Sequence, residues 1–295
     1  MVTIFAIPKP FEGQFAVIQR NAIQSWTLLR PRPEVLLFGD EKGTEEICQE
    51  LGCRHVRAVA RNEYGTPLIN DMFEQAQRLA THPCVCYVNA DIILLSDFAA
   101  AGAQAMPWRP RFLMIGRRWD LDLSQPLDFS RADWEQRLRA VVRERGVERD
   151  AWPVDYFFFP SGCFPEVPPF AIGRYSWDSW LVWKARTTGI PLLDASAVVL
   201  AVHQNHATLH HPGLREGILE SDEAKKNFQL AGGHQHLGRI DDASYLLTPS
   251  GIRRNFSLDH WARRLGPLWP WLMRTTAPVR HRLGLRRRRN ISLRA

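Results

Sequence analysis

Short apolar runs alternate with amphipathic stretches from the first residues to about residue 115, and this alternation restricts the fold more than any other feature. Val2–Ile7, Glu34–Gly39 (EVLLFG), His55–Val59, Cys84–Val88 and Phe112–Ile115 each read as a strand. Thr44 reads as an N-cap, with Glu45 and Glu46 in the first turn of a helix and Gly52 after its end. Pro67 opens a second helix to about Ala80, with Leu68, Met72, Ala76 and Leu79 near a 3.6-residue period. Asp97–Ala105 reads as a third. The run CVCYV has almost no polar break, as a strand covered on both faces requires. A β-α-β-α order predicts an α/β sandwich: one domain with a mostly parallel central sheet, flanking helices and right-handed crossovers.

The second half is less regular. Arg131–Arg145 reads as a charged helix, Tyr156–Phe159 as an aromatic strand and Trp177–Thr188 as a helix closed by Gly189. Pro191–Val202 holds one or two strands. No internal repeat is visible. After about Ser250 the composition turns to Arg, Trp and Pro, so we expect a domain over 1–250 and a basic extension over 251–295.

Charge is divided the same way. The 38 Lys and Arg against 31 Asp and Glu give +7, but residues 260–295 alone carry ten Arg and no acid. The remaining 28 bases and 31 acids leave the body at −3, which argues against nucleic-acid binding. Five cysteines without C-x-x-C spacing read as reduced thiols, not as a disulfide framework or zinc site. The first residues lack the pattern of a signal peptide, and no run approaches 18 apolar residues, so the expected location is cytoplasmic. The phosphate loop G-x-x-x-x-G-K-[ST], the dinucleotide fingerprint after the first strand and the G-x-S-x-G elbow are all absent, which sets aside Walker ATPases, dinucleotide oxidoreductases and α/β-hydrolases.

Polar groups collect at the predicted strand ends. Asn89-Ala90-Asp91 follows the central strand, Asp40 follows LLFG, Arg61 and Asn62 follow the third strand, and Pro8 and Lys9 follow the first. In open parallel sheets the ligand lies beyond those ends. A carboxylate there, Asp91, can hold a hard divalent cation that neutralises a diphosphate. Each of these residues has a plainer use as a turn or surface residue. Trp177-Asp178-Ser179-Trp180 places Asp178 in the first turn of a helix, where the dipole favours a carboxylate. Trp177 and Trp180 suit a sugar platform and suit a core equally well. His203-Gln204-Asn205-His206 ends the strand VVLAV, and neutral imidazole suits Mn²⁺; His210 and His211 read as solvated. Arg117 and Arg118 follow FLMIG and can bridge phosphate or acceptor groups.

The series AIPKPF, LFGDE, ARNEYGTP, VNADIIL, GRRWD, FAIGRYSWDSW and AVHQNH resembles bacterial glycosyltransferases of the GT-A fold, related to the large family-2 transferases, over roughly residues 1–245. The resemblance implies transfer of a sugar from a nucleoside-diphosphate sugar, a UDP-sugar first of all, to an acceptor hydroxyl. The acceptor would be a glycan, a lipid-linked molecule or a small molecule. It implies Asp91 as ligand to Mn²⁺ or Mg²⁺, with His203, or its neighbour His206, as a further ligand. Asn89 stands where the family usually has an Asp, which removes one negative charge beside the metal. Asp40 and Arg61 would grip the nucleobase, Pro8 and Lys9 would line the nucleoside pocket, and Asn62 and Asn89 would also meet the donor. Asp178 would be the general base of an inverting transfer, with Asp155 as its rival, and Trp177, Trp180 and Arg117 would meet the acceptor. The alternative is a non-catalytic nucleotide-sugar or glycan-binding protein on the same fold; a nucleotidyltransferase ranks lower because AIPKPFEG lacks the Gly-rich basic loop. In the extension, Trp261, Leu268, Trp269, Trp271, Leu272 and Met273 beside ten Arg read as a segment for an anionic membrane surface, against a solubilising tail or packing onto the domain.

Overall fold

The computed structural model describes residues 1–164, 166–206 and 221–265. His210, His211 and the chain beyond 265 lie outside the described residues. Residues Met1–Arg254 form one unit, and Asn255–Ala295 a second. In chain order the first unit runs β1 (Val2–Ala6), α1 (Gly13–Thr27), β2 (Glu34–Phe38), α2 (Thr44–Leu51), β3 (Arg54–Val56), α3 (Ile69–Leu79), β4 (Cys84–Val88), β5 (Ile92–Ile93), α4 (Ser96–Ala105), β6 (Leu113–Ile115) and β7 (Arg118–Leu121). It continues with α5 (Trp134–Arg145), β8 (Val147–Glu148), β9 (Tyr156–Pro160), α6 (Trp177–Thr187), β10 (Leu192–Asp194), β11 (Ala201–Gln204), α7 (Asp222–Ala231), β12 (Tyr245–Thr248) and β13 (Gly251–Arg254). The described part of the second unit carries α8 (Leu258–Leu265).

Nine strands make the main sheet in the order β13-β12-β10-β6-β9-β4-β1-β2-β3. All pairs are parallel except those of β9 with β4 and β6, and of β13 with β12. Successive side chains of these strands point to opposite faces. Ile4, Leu37, Cys84, Cys86, Met114 and Phe158 therefore join α1, α2 and α4 in one core layer. Phe5, Phe38, Val85, Tyr87 and Phe159 join α3 and α6 in the other. Both layers are built of buried apolar side chains, so this is the mixed α/β architecture, helices on both faces of a mostly parallel sheet, that the alternation predicts. All five cysteines are free thiols, and Cys84 and Cys86 share a face.

A second sheet of four short strands, β5-β11-β7-β8, sets the functional positions. β11 is antiparallel to β5 and parallel to β7. Its register puts His203 opposite Ile92 on one side and Asp120 on the other. The residue after Ala90 is thereby delivered beside a histidine and a second carboxylate.

Some local expectations are corrected. Helix α1 does not stand out in the apolar pattern because Gln19, Asn21 and Ser25 occupy its buried face. Each is satisfied there: Gln19 clamps both backbone groups of Lys9 at 2.6 and 2.9 Å, and Asn21 donates to Gln204 at 2.9 Å. Thr44 is not an N-cap. Gly43 takes that position with φ 89°, and the Thr44 hydroxyl is buried without a partner. Pro67 precedes its helix instead of opening it, because Arg61–Pro67 and Leu68–Ala171 form bridges first.

Candidate active site

Beyond the carboxyl ends of β1, β2 and β4 lies a cleft of about 500 Å³. Ile7–Pro10 after β1, Glu41 after β2, Asn89–Asp91 after β4 and Tyr175, Trp177 and Asp178 around the start of α6 form its walls. This is where an open parallel sheet places a ligand.

Asp91 sits at the turn between β4 and β5. Its Oδ2 lies 3.0 Å from His206 Nε2 and 3.7 Å from His203 Nε2. Candidate ligand atoms of the three residues fall within 4.8 Å of one another. Asp91 Oδ1 is buried and takes no hydrogen bond among the described residues. Burial works against the charge on Asp91, but the bond from His206 and the fields of His203, His206 and Arg118 outweigh it and hold the carboxyl at about 2. Behind it, His203 Nδ1 is 3.1 Å from Asp120 Oδ1. Asp120 is in turn gripped by Arg118 at 2.9 Å and by Arg149. An oxygen and two imidazole nitrogens, with a buried oxygen left open, fit Mn²⁺ better than Mg²⁺, whose usual donors are oxygens. A carboxylate behind the histidine is the usual way such a ring is oriented.

Asn89 is occupied at both ends of its side chain. Tyr87 donates to its Oδ1 at 2.7 Å, and its Nδ2 donates to Asp155 Oδ1 at 2.7 Å. Asp155 is 3% exposed and takes Arg118 on both oxygens at 3.0 and 3.1 Å. An Asp at position 89 would set two carboxylates against each other with no donor between them. The Asn amide instead donates to Asp155, so a carboxylate stands at position 155 where position 89 has none.

Asp178 enters the cleft from the first turn of α6. Ser176 before it has φ 91°, a region a serine rarely adopts, and its hydroxyl is buried without a partner. Burial raises the Asp178 carboxyl to about 6; backbone N–H groups of Ser179 and Val154 work against that, and the Asp155 charge adds to it. Lys9 holds its ammonium 4.3 Å from the centre of the Phe15 ring, and burial lowers its pKa.

Pro8, Lys9, Arg61, Asn89, Asp91, Trp177 and Asp178 all line the cleft, together with His206, and His203 stands behind Asp91. Four other expected residues do not line it. Asp40 is 74% exposed at its side chain, and Glu41 takes its place. Gly39 turns the chain with φ 92°, and a Cβ there would run into Glu41 Oε2, which is buried and unpartnered. Asn62 organises its own loop, accepting from Tyr64 and Thr66 and donating to Glu223 at 2.7 Å. Arg117, just before β7, pairs with Asp241 at 2.8 Å, whereas Arg118 pairs with Asp120 and Asp155. Trp180 is a core residue, 5% exposed and packed edge-on against Phe170. Glu41, Phe15, Trp152, Arg174 and Tyr175 line the cleft without having been singled out. The adjacent Trp152 and Asp155 on one side and Gly173-Arg174-Tyr175 beside WDSW on the other were the available signals.

No protein-family model matches the chain, and no curated protein matches it. Among solved structures it is similar to a protein from Desulfovibrio desulfuricans described as a nucleotide-diphospho-sugar transferase, at 12% identity and TM-score 0.44 over 78% of this chain and 96% of that one. It is also similar to a mannosyltransferase from Pyrobaculum calidifontis solved with GDP-mannose and Mn²⁺, at 16% identity and TM-score 0.43 over 71% of this chain and 58% of that one. A third is the glucosyl-3-phosphoglycerate synthase of Mycobacterium tuberculosis, at 14% identity and TM-score 0.46 over 79% and 81% of the two chains.

Proposed function

We propose that this chain transfers a glycosyl group from a nucleoside-diphosphate sugar to an acceptor hydroxyl, with inversion at the anomeric carbon. One observation carries the reading: an open carboxylate–imidazole cluster, Asp91 with His203 and His206, shares a cleft with an acid raised to about 6. Asp91, His203 and His206 would hold Mn²⁺ or Mg²⁺, which supplies positive charge to a departing diphosphate. Lys9 adds a second cation on the same wall. Glu41 Oε2, buried and unpartnered, would accept an N–H from the nucleobase, with Arg61 bonded to its other oxygen at 2.8 Å. Asp178 takes the proton of the attacking hydroxyl; a carboxylate with a pKa near 6 is ionised at neutral pH yet basic enough to do so. Asp155 is unsuited to that role because both its oxygens are already bonded. Asn in place of Asp at position 89 does not by itself argue for a non-catalytic binder, since its amide serves Asp155. The test is release of nucleoside diphosphate from a panel of UDP-, GDP- and dTDP-sugars with Mn²⁺. We expect turnover with at least one donor, and turnover with none contradicts the reading.

We further propose that a cytoplasmic enzyme meets its acceptor at an anionic membrane face through the second unit. Among the described residues no helix is long and apolar enough to cross a membrane. Phe256, Leu258 and Trp261 are nevertheless 71, 55 and 41% exposed beside Arg263 and Arg264. Indole and phenyl groups seat at headgroup depth, and each base near an anionic surface contributes about 1 kcal/mol. The full chain is expected to pellet with phosphatidylserine vesicles at low salt, and a chain ending at Arg254 to stay in solution. Equal behaviour of the two chains sinks this part.

A further inference from the structure

A row of aromatic rings leaves the cleft beside Asp178. Trp152 and Tyr175 both stand in its wall, in edge contact with ring centres 5.8 Å apart. Tyr175 stacks on Phe228 of α7 at 6.5 Å, and Phe228 meets His234 at 4.7 Å. The first three rings are half-buried and His234 is exposed, whereas Trp177 and Trp180 are 6 and 5% exposed and belong to the core. The row therefore keeps ring surface open where packing alone would close it.

Two more observations restrict what it can hold. Trp152 Nε1 donates to Ser179 Oγ at 2.7 Å, so the indole is fixed in place with its polar group satisfied inside the protein. The cations of this stretch are already paired: Arg174 with Glu223 at 2.6 Å, Lys225 with Asp222 at 3.2 Å and Lys226 with Glu63 at 3.0 Å. Paired cations offer little to a phosphate or carboxylate group. Fixed rings without free charge match a neutral ligand that has flat C–H faces and a polar rim, which describes a pyranose.

We propose that this row is the acceptor subsite and that the acceptor is an uncharged saccharide of at least two units. The assignment rests on reading Asp178 as the proton acceptor. Trp152 and Tyr175 then seat the sugar whose hydroxyl attacks, and Phe228 and His234 seat the next one.

The test uses the full chain with Mn²⁺ and either UDP or GDP. Saturation-transfer NMR and tryptophan fluorescence titration are run with methyl glucoside, cellotriose, maltotriose, mannotriose and chitotriose. At least one trisaccharide is expected to bind, more tightly than the monosaccharide. Phe228→Ala should lower its affinity about tenfold, the scale of one aromatic contact. Phe228→Tyr should restore it, and the monosaccharide affinity should not move. The rise in melting temperature on adding nucleotide, measured on the same samples, reports the donor site and the integrity of the variant. Nucleotide binding without any trisaccharide binding overturns the proposal, as does equal trisaccharide affinity in wild type and Phe228→Ala. Trisaccharide binding that depends on Phe228, without any response to nucleotide, would leave the subsite standing and remove the donor reading instead.

Discussion

Asp178→Asn should lower kcat by 10²–10⁴-fold and at the same time make the protein more stable at neutral pH. The loss follows from removing the proton acceptor while keeping its shape. The gain follows from burial. The carboxyl rises from 3.8 to about 6 in the folded chain, so the native state holds a charge that the unfolded chain accommodates more easily. The direction is settled by proton counting. Between 3.8 and about 6 the native state binds more protons than the unfolded state, so wild-type stability falls as pH rises through that window and stays lower above it. A shift of this size corresponds to about 3 kcal/mol, and to about 6–12 °C in a unit of this size. The melting-temperature gap between variant and wild type should therefore be largest at pH 7 and close toward pH 4. The wild-type rate should rise with pH through about 6. A variant that loses stability at pH 7, or one that keeps its rate, would mean that Asp178 is structural.

Asp91→Asn is expected to have the second large effect. It removes the one charged ligand of the cluster while leaving His203 and His206 in place. Removing a group aimed at charge that develops in the reaction costs about 10²–10³ in kcat. Mn²⁺ affinity, read by electron paramagnetic resonance without substrate, should fall with it. Asp120→Asn provides the graded comparison. Asp120 acts through His203, and loss of such an outer partner costs about 10–100-fold in metal affinity. The account requires the Asp91 variant to be the weaker binder of the two. The opposite order would put the metal elsewhere.

Much of this was legible in the sequence, for reasons that can be named. A strand buried on both faces leaves an unbroken apolar run, so β1, β2 and β4 were visible, and with them the positions just beyond their ends, where Lys9 and Asp91 stand. The histidines ended a visible strand. What could not be read was which of two neighbours turns inward. Asp40 and Glu41 are chemically equivalent in the sequence, and the choice between them is made by the backbone turn at Gly39. Arg117 and Arg118 are neighbours in the sequence, yet one pairs with Asp241 and the other with Asp120 and Asp155. Trp177 and Trp180, three apart on α6, are both nearly buried, with only Trp177 reaching the cleft wall, while the open rings come from loop residues Trp152 and Tyr175, which no periodicity marks. Helix α1 was hidden by Gln19, Asn21 and Ser25, polar side chains that face inward to hold Lys9, Gln204 and the Leu94 backbone N–H.

The central claim is that the Asp91 cluster binds a nucleoside diphosphate through a divalent cation. Calorimetric titration of UDP and GDP into the full chain, with and without Mn²⁺, tests it most directly. We expect one of the two nucleotides to bind in the presence of Mn²⁺, more weakly without it, and not measurably to Asp91→Asn. Absence of binding by the wild-type chain, or binding unchanged by Mn²⁺ and by Asp91→Asn, would contradict the account.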